Sequence, residues 1–391
     1  MEFEFWWLIG FPVFFGLGWL AARIDLKHLI SESRALPRSY FKGLNFLLNE
    51  QPDQAIEAFI EVVKVEPETI ELHFALGSLF RRRGETDRAI RMHRNLLERT
   101  DLAPEQRQHA LIELGEDYMK AGLLDRAEES YTQLRDGPFR ARALKSLLEI
   151  FQIEKDWRKA IGIAQESAKD SGQSWSKEIA NYWCEIAVAE MNKPDAVSAR
   201  AALAEAIAVN KRCVRANVIT GDLAVRENQH AEAIDAWRRI EQQDPAFLAL
   251  VAQRLLASFR ALGRNAEGLA LLKEFLEKAP SLDMLDVAFQ STLDAEGPEA
   301  AYRLVRDELR RNPTLLGLDR LLEAQLISAS AERRQELELV KNLVHGQTQR
   351  LSRYRCVNCG FKARQFYWQC PACAGWETYP PRRTEEFELG P

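Results

Sequence analysis

Residues 77–93 read GSLFRRRGETDRAIRMH, and the architecture follows from what recurs around them. Gly77 stands 34 residues after Gly43, and Ala89 stands 34 residues after Ala55. Ala187 to Gly221 and Ala199 to Ala233 repeat the same interval of 34. The pattern between these small residues is helical, so each period is a helix–turn–helix unit with small side chains where its two helices cross. A larger Cβ at those crossings would push the paired helices apart.

Thirty-four residues is the tetratricopeptide period. The first unit carries Gly43, Ala55, Phe59 and Pro67, and the second Leu76-Gly77, Gly84 and Ala89. A third, displaced by an insertion near Asp101–Gln106, has Leu114-Gly115, Tyr118, Gly122, Ala127 and Tyr131. A fourth fits around Phe151 and Ala160. The fifth gives Trp183, Ala187, Ala199 and Ala206, and the sixth Gly221, Ala233, Trp237 and Pro245. Two decayed units end at Pro280 and Pro313. The expected fold is all-α: a tetratricopeptide-repeat superhelix whose concave groove binds peptides or protein surfaces, with a generic helical solenoid as the alternative. In the second unit the first helix would present Phe74, Ser78 and Arg81 to that groove. The run Arg81-Arg82-Arg83 suits the negative end of a helix dipole, or else a contact for an acidic partner. Cys184 and Cys213 fall in helical stretches and read as small buried apolar residues.

Working outward to the N-terminus, Phe5–Ala22 (FWWLIGFPVFFGLGWLAA) is eighteen residues without a charge. As a helix it would span ~27 Å, enough for a bilayer core. Trp6, Trp7 and Trp19 lie near its ends, where amphipathic rings meet headgroups. A cleaved signal peptide would want a basic start and a small-x-small cleavage site, but Glu2 and Glu4 precede the stretch and Trp19-Leu20-Ala21-Ala22-Arg23 follows poorly. A buried core helix is the other alternative. Arg23, Lys27 and Arg34 all follow the stretch, so the positive-inside bias places the N-terminus outside and residues 23–391 in the cytoplasm.

At the other end the chain reads Tyr354-Arg355-Cys356-Val357-Asn358-Cys359-Gly360, then Cys370-Pro371-Ala372-Cys373-Ala374-Gly375-Trp376. Two C-x-x-C pairs ten residues apart are the pattern of one tetrahedral metal site with four thiolate ligands. Gly360 permits the left-handed backbone that lets main-chain N–H groups reach the sulfurs, whereas Ala374 stands where the second pair should have its glycine. Residues 351–391 are too few to hold a core alone, so metal would supply folding energy. Phe361, Phe366, Tyr367, Trp368 and Trp376 are expected around the site or against the last helices. A disulfide pair conflicts with a reducing compartment, and a thioredoxin-like redox pair lacks its βαβ surroundings. A nucleic-acid-binding zinc ribbon draws support from Arg350, Arg353, Arg355, Lys362 and Arg364, but the chain carries 53 Lys+Arg against 58 Asp+Glu, a net charge of -5. Thiolates alone do not choose between zinc and iron.

Composition excludes other classes. Hydrophobic residues at 46% and charged residues at 28% exclude wholesale disorder. A mean hydropathy of -0.31 excludes a multi-span membrane protein. His28, His73, His93, His109, His230 and His345 form no H-E-x-x-H, and phosphate-loop, nucleophile-elbow and dinucleotide fingerprints are absent. No catalytic residue is expected, and the chain reads as a non-enzyme.

One anchor, a tetratricopeptide array and a terminal pair of cysteine knuckles together resemble the lipopolysaccharide assembly protein B family of Gram-negative bacteria. The resemblance runs nearly the whole length. It is sharpest at Gly77–His93, at Gly115–Glu128 (GEDYMKAGLLDRAE) and at Tyr354–Trp376, with Tyr367-Trp368-Gln369-Cys370-Pro371 most telling. It implies a transmembrane anchor over 1–22, a juxtamembrane linker over 23–35, the array over 36–314, closing helices over 315–350 and a rubredoxin-type metal-binding module over 351–391. The family's ligands carry over onto Cys356, Cys359, Cys370 and Cys373, holding one iron or zinc ion.

By that resemblance the chain is a single-pass inner-membrane adaptor that restrains lipopolysaccharide synthesis. It would promote degradation of the deacetylase committing the pathway to lipid A by the membrane-bound AAA+ zinc protease. It would also gather other lipopolysaccharide synthesis or transport proteins, with no nucleic-acid partner and a homodimer left open. A general tetratricopeptide assembly scaffold and the nucleic-acid-binding zinc ribbon remain the alternatives.

Overall fold

A glycine without a Cβ lets an aromatic ring from the next helix lie against its backbone, and this chain uses that device at a fixed offset. A Cβ built on Gly43 would come within 2.5 Å of the Phe59 ring, on Gly77 within 2.3 Å of His93, on Gly115 within 2.6 Å of Tyr131, and on Gly221 within 2.2 Å of Trp237. The ring follows its glycine by 16 residues each time, which joins one position on the first helix of a repeat to one on the second. Ala55, Ala89, Ala127, Ala199 and Ala233, the second set of small residues, are all 0% exposed.

In this computed structural model the described residues are 38–65, 69–191, 193, 196–351 and 353–383, together with Phe15 and Trp19. The anchor expected over 1–22, apart from those two residues, lies outside the described set, as do the linker over 23–35 and Pro67. Among the described residues no helix is long and apolar enough to cross a membrane.

The chain forms two compact units, Met1–Ile150 and Phe151–Pro391. The first pairs α1 (Arg38–Leu48) with α2 (Pro52–Val65), α3 (Ile70–Arg82) with α4 (Thr86–Leu97) and α5 (Pro104–Ala121) with α6 (Leu124–Thr132); α7 (Arg140–Ile153) follows. Pro104 starts α5 at a position where a helix needs no N–H, and Gly122 ends it in the left-handed conformation at φ 74°. The insertion expected near 101–106 appears here. α5 has 18 residues where α3 has 13.

The second unit begins with α8 (Trp157–Ser171), whose Asp156 cap accepts a hydrogen bond from the Lys159 N–H at 3.1 Å. It continues through α9 (Ser176–Met191), α10 (Val197–Val209), α11 (Val214–Arg226), α12 (His230–Arg238) and the short α13 (Ile240–Gln243). A 3-10 turn at Pro245–Leu250 leads to α14 (Ala252–Ala261), α15 (Asn265–Lys278), α16 (Leu282–Glu296) and α17 (Pro298–Arg311), then α18 (Leu315–Ser328) and α19 (Ala331–Leu351). One core runs from Val214 through Trp237, Phe259, Phe275 and Phe289 to Val305 and Ala324. The two decayed repeats are therefore intact as packed helix pairs. A hairpin of β1 (Tyr354–Arg355) with β2 (Lys362–Ala363) opens the cysteine-bearing tail. Cys184 and Cys213 are 0% exposed with sulfurs 3.8 Å apart, the buried placement their setting suggested.

Arg81 departs from the expectation of a solvated or partner-facing charge. Its guanidinium meets Glu113 at 2.6 Å, Glu116 at 3.0 Å and Asp117 at 2.7 Å, and only 16% of the side chain is exposed. Asp117 in turn holds the fully buried His93 ring at 2.5 Å, and Ser78 Oγ reaches Glu113 at 3.3 Å. Phe74 is buried against Leu96 and Ala110. Burial disfavours the Glu113 carboxylate, yet the Arg81 hydrogen bond and charge outweigh it and hold Glu113 below the ordinary glutamate range. Ser78 and Arg81 thus tie neighbouring repeats together. Removing Arg81 would take the shared guanidinium away from the buried Glu113 and Asp117, so it acts on stability before it acts on any partner.

Candidate metal centre

Each cysteine pair sits on a tight backbone loop built the same way. In the first, the Cys356 N–H bonds the Phe361 carbonyl at 2.9 Å and the Gly360 N–H bonds the Cys356 carbonyl at 3.0 Å. In the second, the Cys370 N–H bonds the Gly375 carbonyl at 2.9 Å and the Ala374 N–H bonds the Cys370 carbonyl at 2.8 Å. Gly360 takes φ 76° and Ala374 takes φ 56°. The alanine therefore adopts the left-handed backbone that a glycine would take freely, and the second loop keeps its shape at the expense of some strain.

The two loops bring Cys356, Cys359, Cys370 and Cys373 together, with all four sulfurs within 4.8 Å of one another. Cys356 lies 3.8 Å from Cys373, and Cys359 lies 3.6 Å from Cys370. Sulfurs at ~2.3 Å from a tetrahedral ion stand ~3.8 Å apart, so the arrangement suits one metal ion. Cys356 and Cys370 are buried, whereas Cys359 and Cys373 face solvent.

The electrostatics point the same way. Burial works against the Cys356 thiolate, but hydrogen bonds with Thr378 and with the Asn358 and Cys359 N–H groups bring its pKa down to about 6. The Phe361 N–H favours the Cys359 thiolate, yet desolvation and the three neighbouring sulfurs push it up to about 12. Four sulfurs this close cannot all carry charge alone. A cation between them is what lets every ligand ionise.

Three matches to protein families cover parts of the chain: a rubredoxin metal binding domain over 354–381, and tetratricopeptide repeats over 72–108 and 187–246. A protein of Escherichia coli named lipopolysaccharide assembly protein B is 35% identical over 376 residues, covering 95% of this chain and 96% of the relative. The chain belongs to the lipopolysaccharide assembly protein B family. A second family member, from Haemophilus influenzae, is 32% identical over 394 residues, covering 96% and 97% of the two chains. Among solved structures, a tetratricopeptide repeat protein from Parabacteroides merdae aligns at 15% identity and a TM-score of 0.27, over 78% of this chain and 99% of that one.

In this family member the module's aromatic residues reach back to the fourth, fifth and sixth repeats. Trp376 stands edge-on to Tyr182 at 5.8 Å and to Trp157 at 6.1 Å, and Trp368 stacks on Phe247 at 5.5 Å. The Arg215 guanidinium lies over both tryptophan rings, 5.4 Å from Trp376 and 5.8 Å from Trp368. Asn181 Nδ2 donates to Glu377 at 2.8 Å, while Tyr354 and Arg383 donate to Asp283 at 2.7 and 2.6 Å. Phe361 is exposed, and Tyr367 packs on Tyr379 within the module.

The second knuckle is continuous with this seam. Its hairpin is closed by the Glu377 N–H bonding the Trp368 carbonyl at 2.7 Å, so the loop that carries Cys370 and Cys373 ends in the residues that grip the array. Trp157, Asn181, Tyr182, Arg215, Phe247 and Asp283 were not visible as module-binding residues in the sequence. Asn181 and Glu377 are 196 positions apart and no periodicity links them.

Proposed function

We propose that the chain is a non-enzymatic, membrane-tethered adaptor that restrains lipopolysaccharide synthesis by presenting the committing lipid A deacetylase to the membrane AAA+ zinc protease. The observation that carries this reading is family membership across nearly the whole chain, with relatives named for lipopolysaccharide assembly. The repeat array supports it, because stacked helix pairs offer extended protein-binding surface and none of the catalytic motifs sought in the sequence. The anchor over 1–22 would hold the array at the cytoplasmic face of the inner membrane, where confinement raises the effective concentration of protease and substrate. Other lipopolysaccharide synthesis proteins would be gathered in the same way.

Cys356, Cys359, Cys370 and Cys373 would hold one zinc or iron ion. That ion supplies folding energy to a module whose own core is only the small cluster around Tyr354 and Tyr379. A shell filled by four thiolates leaves no position for water or substrate, so the ion would not act as a hydrolytic centre. What the chain's own residues do there is fix the module to the array through Trp368, Trp376, Glu377 and Arg383. Crosslinking in living cells, followed by recovery of the chain from membranes, tests the reading. The protease and the deacetylase should be recovered together with the chain. Recovery of neither, or of partners only from the periplasm, would overturn it.

A further inference from the structure

The four-residue excess between Gly77 and Gly115, 38 positions against the usual 34, adds helix at the start of α5. A cleft of about 510 Å³ lies between α4 and α6, with α5 as its floor. Leu111 and Tyr118 on that floor and Leu97 at the end of α4 supply the apolar part of its lining, and Arg94, Arg107 and Arg126 stand along it. Glu98 pairs with Arg94 at 3.9 Å, and Glu129 is the other acid on the rim. Among the described residues neither Arg107 nor Arg126 has an ion pair, although Arg126 lies 5.9 Å over the Tyr118 ring. Arg81 and Arg142, by contrast, are matched to carboxylates.

The cleft is also separate from that charge network. On α5, Glu113 and Asp117 face Arg81, while Leu111, Leu114 and Tyr118 face the cleft, roughly 115° away at 100° per residue. We propose that this cleft is a second protein-docking site, on a different face of the array from the Arg81 network. Its occupant is an unstructured acidic segment of a partner protein in which one leucine, isoleucine or phenylalanine lies between carboxylates. The apolar side chain would seat on Leu97, Leu111 and Tyr118. The flanking carboxylates would meet Arg107 and Arg126, whose planar forks suit them. This site stands whether or not the protease reading holds, since it rests on the cleft alone.

The test uses the full chain in detergent and an immobilised array of peptides in which two glutamates flank one Leu, Ile or Phe at every spacing from one to six residues. A matched array carries Gln for each Glu. A subset of acidic peptides should bind, the Gln counterparts should bind at least tenfold more weakly, and raising the salt should weaken binding. Arg107→Glu with Arg126→Glu should reduce binding at least tenfold at an unchanged melting temperature, because both side chains are exposed. Leu111→Gln with both arginines retained should also weaken binding, which a purely electrostatic attraction would not do. Absence of binding across the acidic array, equal binding of the Gln array, or indifference to the double arginine variant would each overturn the proposal.

Discussion

Trp376→Ala separates the seating of the module from its metal ligands, because it removes a seam residue and leaves all four cysteines in place. Trp376 is 4% exposed, edge-on to two rings and under the Arg215 guanidinium. Truncating a buried tryptophan costs about 3–5 kcal/mol. Within that, each aromatic pair contributes about 0.5–1.5 kcal/mol and the cation–π contact about 1–2 kcal/mol. Since about 1.4 kcal/mol is a factor of ten, the balance between seated and released module shifts by roughly two to three and a half orders of magnitude. Native-state hydrogen exchange reads this directly. Amide protection should fall in α8 and α9 around Trp157 and Tyr182 and across residues 368–377, while helices remote from the seam keep theirs. Metal content should stay at one ion per chain. Unchanged protection in α8 and α9 would show that the seam holds nothing. Loss of the metal together with protection would show that the ring cluster, and not the thiolates, holds the centre together.

Three further substitutions test the physical argument elsewhere. Gly221→Ala places a methyl 2.2 Å from the fully buried Trp237, whose Nε1 donates to the Val218 carbonyl at 3.2 Å. Thermal or chemical melts should show a loss of about 1–3 kcal/mol, and an unchanged midpoint would mean the helices of that repeat are not locked by the ring. Ala374→Gly should strengthen the second knuckle by about 1 kcal/mol, read as slower metal release to a chelator, because glycine takes φ 56° without the Cβ strain. Burial holds Glu377 above the ordinary glutamate range although the Asn181 hydrogen bond pulls the other way. A raised acid favours its neutral form in the fold, so its contribution is full below the unfolded pKa and is lost as pH rises through the folded one. Seating should therefore weaken over that window in the wild type, and Glu377→Gln should remove this part of the dependence in exchange measured against pH.

Much of this could be read from the chain because the information is local or periodic. The 34-residue spacing of Gly43, Gly77, Ala55 and Ala89 marks where helices must approach, and the glycine-to-ring offset of 16 converts that spacing into contacts. The two C-x-x-C pairs announce convergence of sulfurs because a knuckle is built by its own short loop. The role of Arg81 was misread because its partners lie 32 to 36 residues on, in the next repeat, where a charge run in one helix gives no sign of them. The seat of the module was hidden for the same reason, more strongly. Arg383 and Asp283 are 100 positions apart, and only the folded stack brings them within reach. Ala374 shows a third kind of limit: it stands where a glycine is expected, and the backbone takes the left-handed conformation all the same.

The central functional claim, that the chain delivers the lipid A deacetylase to proteolysis, is tested most directly by the deacetylase's half-life in cells after protein synthesis is stopped. Cells lacking the chain should hold the deacetylase several-fold longer than wild type, and expression of the full chain should restore rapid turnover. Expression of a chain without residues 1–22, at matched level, should restore it only partly, because confinement at the membrane is lost. A half-life that does not change when the chain is removed would contradict the account.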